Sequence, residues 1–280
     1  MNSTFLKQIK HDIQIGILYS WKIFIPFITI FLLASADFSS HSSRVTSHLL
    51  IQKEPSFSDY AIDIFKGMPI FNPSSFFTKF EIPALFLFIT IYLSYIIGKY
   101  PFKDLKGFGI QILLRSKKRS NWWFSKCIWC MFNVIIMYII AYVIFFFFIL
   151  KTGNFTFFNN PVINQTVSEV DSSRLKELDL FLVVYILPIT TSFTLSLLQM
   201  VISMFTKPII GNILIICLIV FSAYFCKSFL VGNYIMILRN ECVISNAGVN
   251  TITGLIINAI ISILCIIIGA IKFKKIDILN

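Results

Sequence analysis

Residues 127–150 read CIWCMFNVIIMYIIAYVIFFFFIL, a run without one Asp, Glu, Lys or Arg. At about 1.5 Å of rise per residue, a helix of this length crosses the ~30 Å hydrocarbon layer of a bilayer. The run is continuous rather than alternating, which argues against a strand of a membrane barrel. Working outward, the same pattern recurs at 82–98, 180–206, 208–226 and 251–271, again without a charged residue. A sixth, shorter run at 20–36 carries Lys22 near its start and borrows apolar residues from 13–21. The expected fold is an all-α integral membrane protein with six transmembrane helices, in one domain covering residues 1–280.

Composition agrees with that class. Of 280 residues, 57% are hydrophobic and 13% are charged, about half the charged share of a soluble domain. Such a chain could not cover a soluble surface, and it is far too apolar for a disordered one. The net charge of +11 would suit a nucleic-acid binder only if it were not sorted by a membrane. It is sorted. With six spans both termini share one side. Taking that side as the cytosol places 15 of the 24 basic and three of the 13 acidic residues there, a net +12 against −1 opposite. This is the bias of the positive-inside rule, and it indicates a multi-pass membrane protein with both termini cytoplasmic and no nucleic-acid partner. Ala34-Ser35-Ala36 resembles a signal-peptide cleavage site, but the region before it is too long and has its own apolar pattern.

The segments between spans add detail. Leu6, Ile9, Ile13 and Ile17 repeat at helical spacing, opposite Lys7, Lys10, His11 and Gln14. That predicts either an amphipathic helix lying in the inner interface or a cytosolic extension of the first span. In the long outer segment 37–81, Phe57, Tyr60, Ala61, Ile64 and Met68 form a stripe, ended by Gly67 and Pro69. A short helix resting on the bundle or the outer leaflet is expected there. Asn154 and Asn164 begin glycosylation sequons that matter only in a secretory pathway. Cys226 and Cys242 fall on one outer side, where a disulfide is open but not required.

The inner loop, KYPFKDLKGFGIQILLRSKKRSNWWFSK over 99–126, is the most informative. Phe102, Leu105, Phe108, Ile112 and Leu113 make an apolar stripe before the cationic block 115–119. Ser120-Asn121 then offer a cap for a helix starting at Trp122-Trp123, paired residues suited to an interfacial anchor. Topology and anionic lipid would explain the cations alone. They leave the amphipathic stripe unexplained, and the stripe points to docking of a cytosolic partner.

Other chemistry is missing from the sequence. There is no Walker A motif, no H-E-x-x-H and no carboxylate pair within a span, so neither a catalytic nor a metal site is expected. His11, His41 and His48 all lie outside the spans, and Cys127 and Cys130 read as packing residues. Ion-coupled carriers keep ionisable groups in their spans. These spans lack them, so a transporter of this kind would draw its energy from a partner. The fourth span holds the most polar stripe: Thr190, Thr191, Thr194 and Gln199 could line a passage, or bond neighbouring helices.

Taken together the layout resembles the six-helix permease subunits of type-two ABC transporters, bacterial exporters whose ATPase is a separate chain. The likeness rests on the order of an amphipathic N-terminal helix, a long first outer segment and a basic loop between spans two and three. Locally it rests on Tyr100-Pro101, Asp104, Gly107, Gly109, Arg115-Ser116, Arg119, Trp122-Trp123, Ser125-Lys126 and the run 222–225. The resemblance implies two permease subunits, identical or different, each paired with a cytosolic ABC ATPase that holds ATP and Mg; this chain needs no cofactor. It implies that Lys103, Asp104, Leu105, Phe108, Ile112, Arg115 and Arg119 form the coupling loop seated in the ATPase. It also implies a re-entrant helical hairpin near 227–250, for which clear caps are lacking. A passage poor in charge suits an amphipathic peptide or lipid-like cargo, exported or kept out for self-protection. A membrane anchor or sensor of a cytosolic complex, and a lipid-modifying enzyme, are the rival readings.

Overall fold

The computed structural model describes residues 3–49, 54–71, 80, 83–115, 119–152, 155–244 and 247–275. It shows an all-α multi-pass membrane protein, with no strand among the described residues. The helices are α1 Ser3–Ile13, α2 Ile25–Leu49, α3 Phe57–Phe65, α4 Ala84–Leu105, α5 Phe108–Arg115, α6 Ser120–Thr152, α7 Pro161–Ile163, α8 Glu177–Leu180, α9 Leu187–Phe205, α10 Pro208–Tyr224 and α11 Thr251–Lys275. A π turn at Phe181–Ile186 joins α8 and α9 into one long element. Five elements are long and apolar enough to span a membrane, and α10 is a shorter apolar helix. At 17 residues, α10 is about 25 Å long.

Helix α9 is central, packed against α4, α6, α10 and α11. Its polar stripe stitches the bundle. Asn258 Nδ2 donates to Thr191 Oγ1 at 2.8 Å, and Thr194 Oγ1 lies 2.9 Å from Ser262 Oγ, both on α11. Tyr138 of α6 meets Ser192 at 2.9 Å. Gln199 Nε2 donates to Asn212 Oδ1 of α10 at 2.7 Å and to Ser203 Oγ at 3.1 Å. Gly98 of α4 and Gly211 of α10 face this amide, and any larger residue there would collide with it. In hydrocarbon such groups have no water to turn to, so they find one another.

Two helices run past the ends that apolarity predicts. The first expected span stops at residue 36, yet α2 continues to Leu49. Its extension satisfies its own hydroxyls: Ser40 donates to Ala36 O and Ser43 to Ser39 O. Phe38, Ser42 and Thr46 are buried at four-residue spacing, and the Phe38 ring meets Tyr60 of α3 edge-on at 4.8 Å. Likewise α4 continues through Pro101 to Leu105, so the first part of the basic loop is the last turn of a span.

The end of the bundle opposite the basic loop is built on α3, which forms as the stripe predicts. Ser56 and Asp59 make a reciprocal capping box. Gly67, at a φ of 70°, turns the chain away, with Met236 packed where a Cβ would stand. Asp59 is fully buried and accepts from Asn160 N and Asn164 Nδ2, each at 2.8 Å. Desolvation outweighs these bonds and raises its carboxyl from 3.8 to about 6. The Asn164 sequon is therefore an internal amide, while Asn154 lies outside the described residues.

Nearby, Arg239 is buried without a carboxylate partner among the described residues. Its five N–H groups donate to Met68 O, Pro69 O, Ser222 O, Ala223 O and Asn233 Oδ1. Ser222 and Ala223 lie in the last turn of α10, where helical carbonyls lack partners and carry partial negative charge. The segment 227–250 is not the helical hairpin the resemblance implies. It folds as two short 3₁₀ turns, Val231–Ile235 and Ile237–Arg239, closed by a bridge between Asn240 and Val249. Arg239 ties this segment to the end of α10 and to the chain after α3, and within the segment it bonds Asn233. Cys226 and Cys242 are free thiols.

Candidate functional site

At the basic end, three chain segments far apart in sequence bring charge together inside the protein. Helix α1 supplies Asp12, the last two turns of α4 supply Tyr100 and Asp104, and the first two turns of α6 supply Trp122, Ser125 and Lys126. Lys126 is 1% exposed and lies between two carboxylates. It bonds Asp12 Oδ1, and Asp104 Oδ2 stands 2.8 Å away. Asp12 also accepts from Tyr100 Oη at 2.9 Å and Ser125 Oγ at 2.5 Å. Asp104 accepts from Trp122 Nε1 at 2.9 Å. The ammonium lies over the rings of Tyr100 and Trp122, at 4.6 and 5.0 Å.

Local sequence explains each placement. Gln8, Asp12 and Gly16 repeat every four residues and form the buried face of the N-terminal arm, against α6. Of the apolar stripe, Leu6 is exposed, Ile9 and Ile13 are half-buried and Ile17 is buried. The arm is thus amphipathic as expected, but it turns a polar edge to the protein. A π turn at Gln14–Leu18 follows, and Gly16 admits the edges of Trp129 and Tyr100. The chain leaves α4 through a turn closed by Gly107 N on Asp104 O at 3.0 Å. Gly109 packs directly on the Asp104 carboxylate, where no side chain would fit.

Burying two carboxylates with one ammonium is costly unless other donors help, and here two hydroxyls donate to Asp12 and one indole donates to Asp104. The outcome is a joint. The basic loop cannot shift without moving α1 and α6, because its Asp104 shares a cation with both.

The expected site residues fall into three groups. Of the coupling set, Asp104 is in the joint, Lys103 is exposed beside it, and Leu105 is half-buried at the end of α4. Phe108, Ile112 and Arg115 belong to α5, with side chains outside the described part of the structure. Arg119 stands just before α6, and residues 116–118 lie outside the described residues. Trp122 and Trp123 are buried rather than presented to lipid. Both pack on Phe273 of α11, with ring centroids at 4.7 and 5.6 Å, and Trp123 Nε1 donates to Ile266 O at 3.0 Å. Paired indoles at a span start match an interface belt, but an available carboxylate and carbonyl drew both N–H groups inward. In the polar stripe, Thr191, Thr194 and Gln199 are buried between helices, and Thr190 bonds Ile186 O of its own chain turn.

Sequence reasoning did not single out Asp12, Tyr100, Ser125 and Lys126 as a set. The available signal was scarcity: only three acidic residues lie on the basic side, and two of them are in this joint.

A family model described as "Protein of unknown function (DUF2705)" matches residues 45–279. No curated protein and no solved structure matches the chain.

Proposed function

We propose that this chain, which belongs to the DUF2705 family, is the membrane-spanning permease subunit of an ATP-driven exporter of the ABC type. The basic end faces the cytosol of a bacterial cell, as its charge directs. A separate ATPase, carrying ATP and Mg, seats against Lys103–Arg119, and a second permease subunit completes the pair. The cargo is an amphipathic peptide or lipid-like molecule, moved outward or kept out for self-protection.

The observation that carries this reading is the Asp12–Lys126–Asp104 joint. A docking loop transmits force only if it is tied to the spans, and this loop is tied to α1, α4 and α6 at one buried cation. Because Thr191, Thr194 and Gln199 are bonded within the chain, the cargo route lies between two subunits rather than through one. The same stripe, bonded between helices, also suits the rival reading, a membrane anchor for a cytosolic complex, which needs no passage.

Purification from membranes of cells co-expressing the cytosolic proteins encoded beside this chain tests the assignment. A stoichiometric ATPase is expected. Its absence from the complex would overturn the reading. Asp104→Asn separates exporter from anchor: the ATPase should stay bound while ATP hydrolysis no longer drives cargo movement. An anchor would show no ATP-driven movement in either protein.

A further inference from the structure

A cavity of about 440 Å³ opens at the basic end between α1 and α4, with Trp129 of α6 at its back. That volume is ordinary for a small-molecule site. Its two characters are distinct. Ile15, Ile23, Ile96 and Trp129 form apolar wall, while Lys99 and Lys103 are exposed at its edge. Neither lysine has a carboxylate partner among the described residues, and Lys99 Nζ bonds only the Tyr95 hydroxyl, at 3.1 Å. Asp104 also borders the cavity, but its charge is already met by Lys126 and Trp122. At the back, Trp129 Nε1 is buried and has no acceptor among the described residues. Beside the mouth, Leu18, Tyr19 and Trp21 are all exposed. An exposed Tyr and Trp next to aliphatic surface belong at the boundary between headgroups and acyl chains.

We infer that this cavity binds one anionic phospholipid of the adjacent leaflet. Its phosphate lies against Lys99 and Lys103, and its glycerol and first methylenes lie along the isoleucine wall. A basic pocket between spans at headgroup depth has the charge and position for such a lipid. A wall of isoleucines beside the two lysines fits a lipid better than a free phosphate. A donor without an acceptor is completed by a ligand oxygen. The inference rests on the chain's place in a membrane and not on the ATPase.

Native mass spectrometry of the detergent-purified protein, titrated with phosphatidylglycerol, phosphatidylcholine or glycerol phosphate, reads this directly. One phosphatidylglycerol should bind in preference to phosphatidylcholine. Lys99→Gln with Lys103→Gln should weaken it about thirtyfold. Lys7→Gln with Lys10→Gln, which removes as much charge from the same end, should leave it within about twofold. Gly107→Leu gives a second variant: the position borders the cavity, and its added side chain meets nothing closer than 3.8 Å at Cβ. It should obstruct the mouth and lose the lipid with the melting temperature kept. Equal binding of the two lipids, equal loss in both lysine pairs, or competition by glycerol phosphate would each overturn the inference.

Discussion

Both ends of the bundle bury a cation, and they satisfy it in different ways. At the basic end Lys126 is met by two carboxylates from different segments. At the opposite end Arg239 is met by four carbonyls and one amide oxygen. Carbonyls at a helix terminus are fixed in place, so Arg239 works as a cap that sets one shape. Carboxylates on separate helices attract a shared ammonium over a range of positions, so Lys126 links parts that can move together. A static cap suits the end that holds α3 and the 227–250 segment closed. A charged joint ties α1, α4 and α6 together at the other end.

The largest expected effect comes from removing the shared ammonium. Lys126→Met leaves two buried carboxylates and should cost about 3–5 kcal/mol, read as a lowered melting temperature in detergent. Amide exchange should rise in α1 and leave α3 protected. Arg239→Met should do the reverse, at about 3 kcal/mol, because buried carbonyls lose their donors while the joint stays whole. Equal loosening of both ends in either variant would remove the distinction.

Next in size is a pH effect confined to the α3 end. Asp59 titrates near 6 in the folded protein against 3.8 when exposed, so the folded state holds its proton more tightly. The resulting stability is complete below about pH 4 and is lost as pH rises through about 6, a change of roughly 3 kcal/mol at most. Exchange protection of α3 should therefore increase between pH 7.5 and 5. Asp59→Asn should flatten that change while lowering stability throughout. The smallest effect belongs to the bundle centre: Gln199→Leu should cost about 1 kcal/mol and disturb neither end selectively.

Much of this architecture is legible in the chain. Apolar runs place the spans, and a stripe with Gly67 and Pro69 places α3. What apolarity misses is where helices stop. The extension of α2 is rich in Ser because those hydroxyls bond back to the helix and its buried edge packs on α3. The joint is hidden for a related reason. Asp12, Asp104 and Lys126 are separated along the chain, and only packing shows that one cation serves both acids. Trp122 and Trp123 illustrate the same limit: their position near a span end was readable, but the direction of their rings depends on Asp104 and on the Ile266 carbonyl.

In the proposed exporter the basic loop is the surface on which the ATPase docks. Arg115→Glu with Arg119→Glu reverses charge in that loop while leaving Lys126, Asp12 and Asp104 in place. Affinity purification of this variant beside the unaltered chain, each co-expressed with the cytosolic proteins encoded next to it, measures whether an ATPase docks there. If the loop docks an ATPase, the variant inserts normally into the membrane and loses the ATPase that the unaltered chain retains. An ATPase recovered equally with both proteins would contradict it.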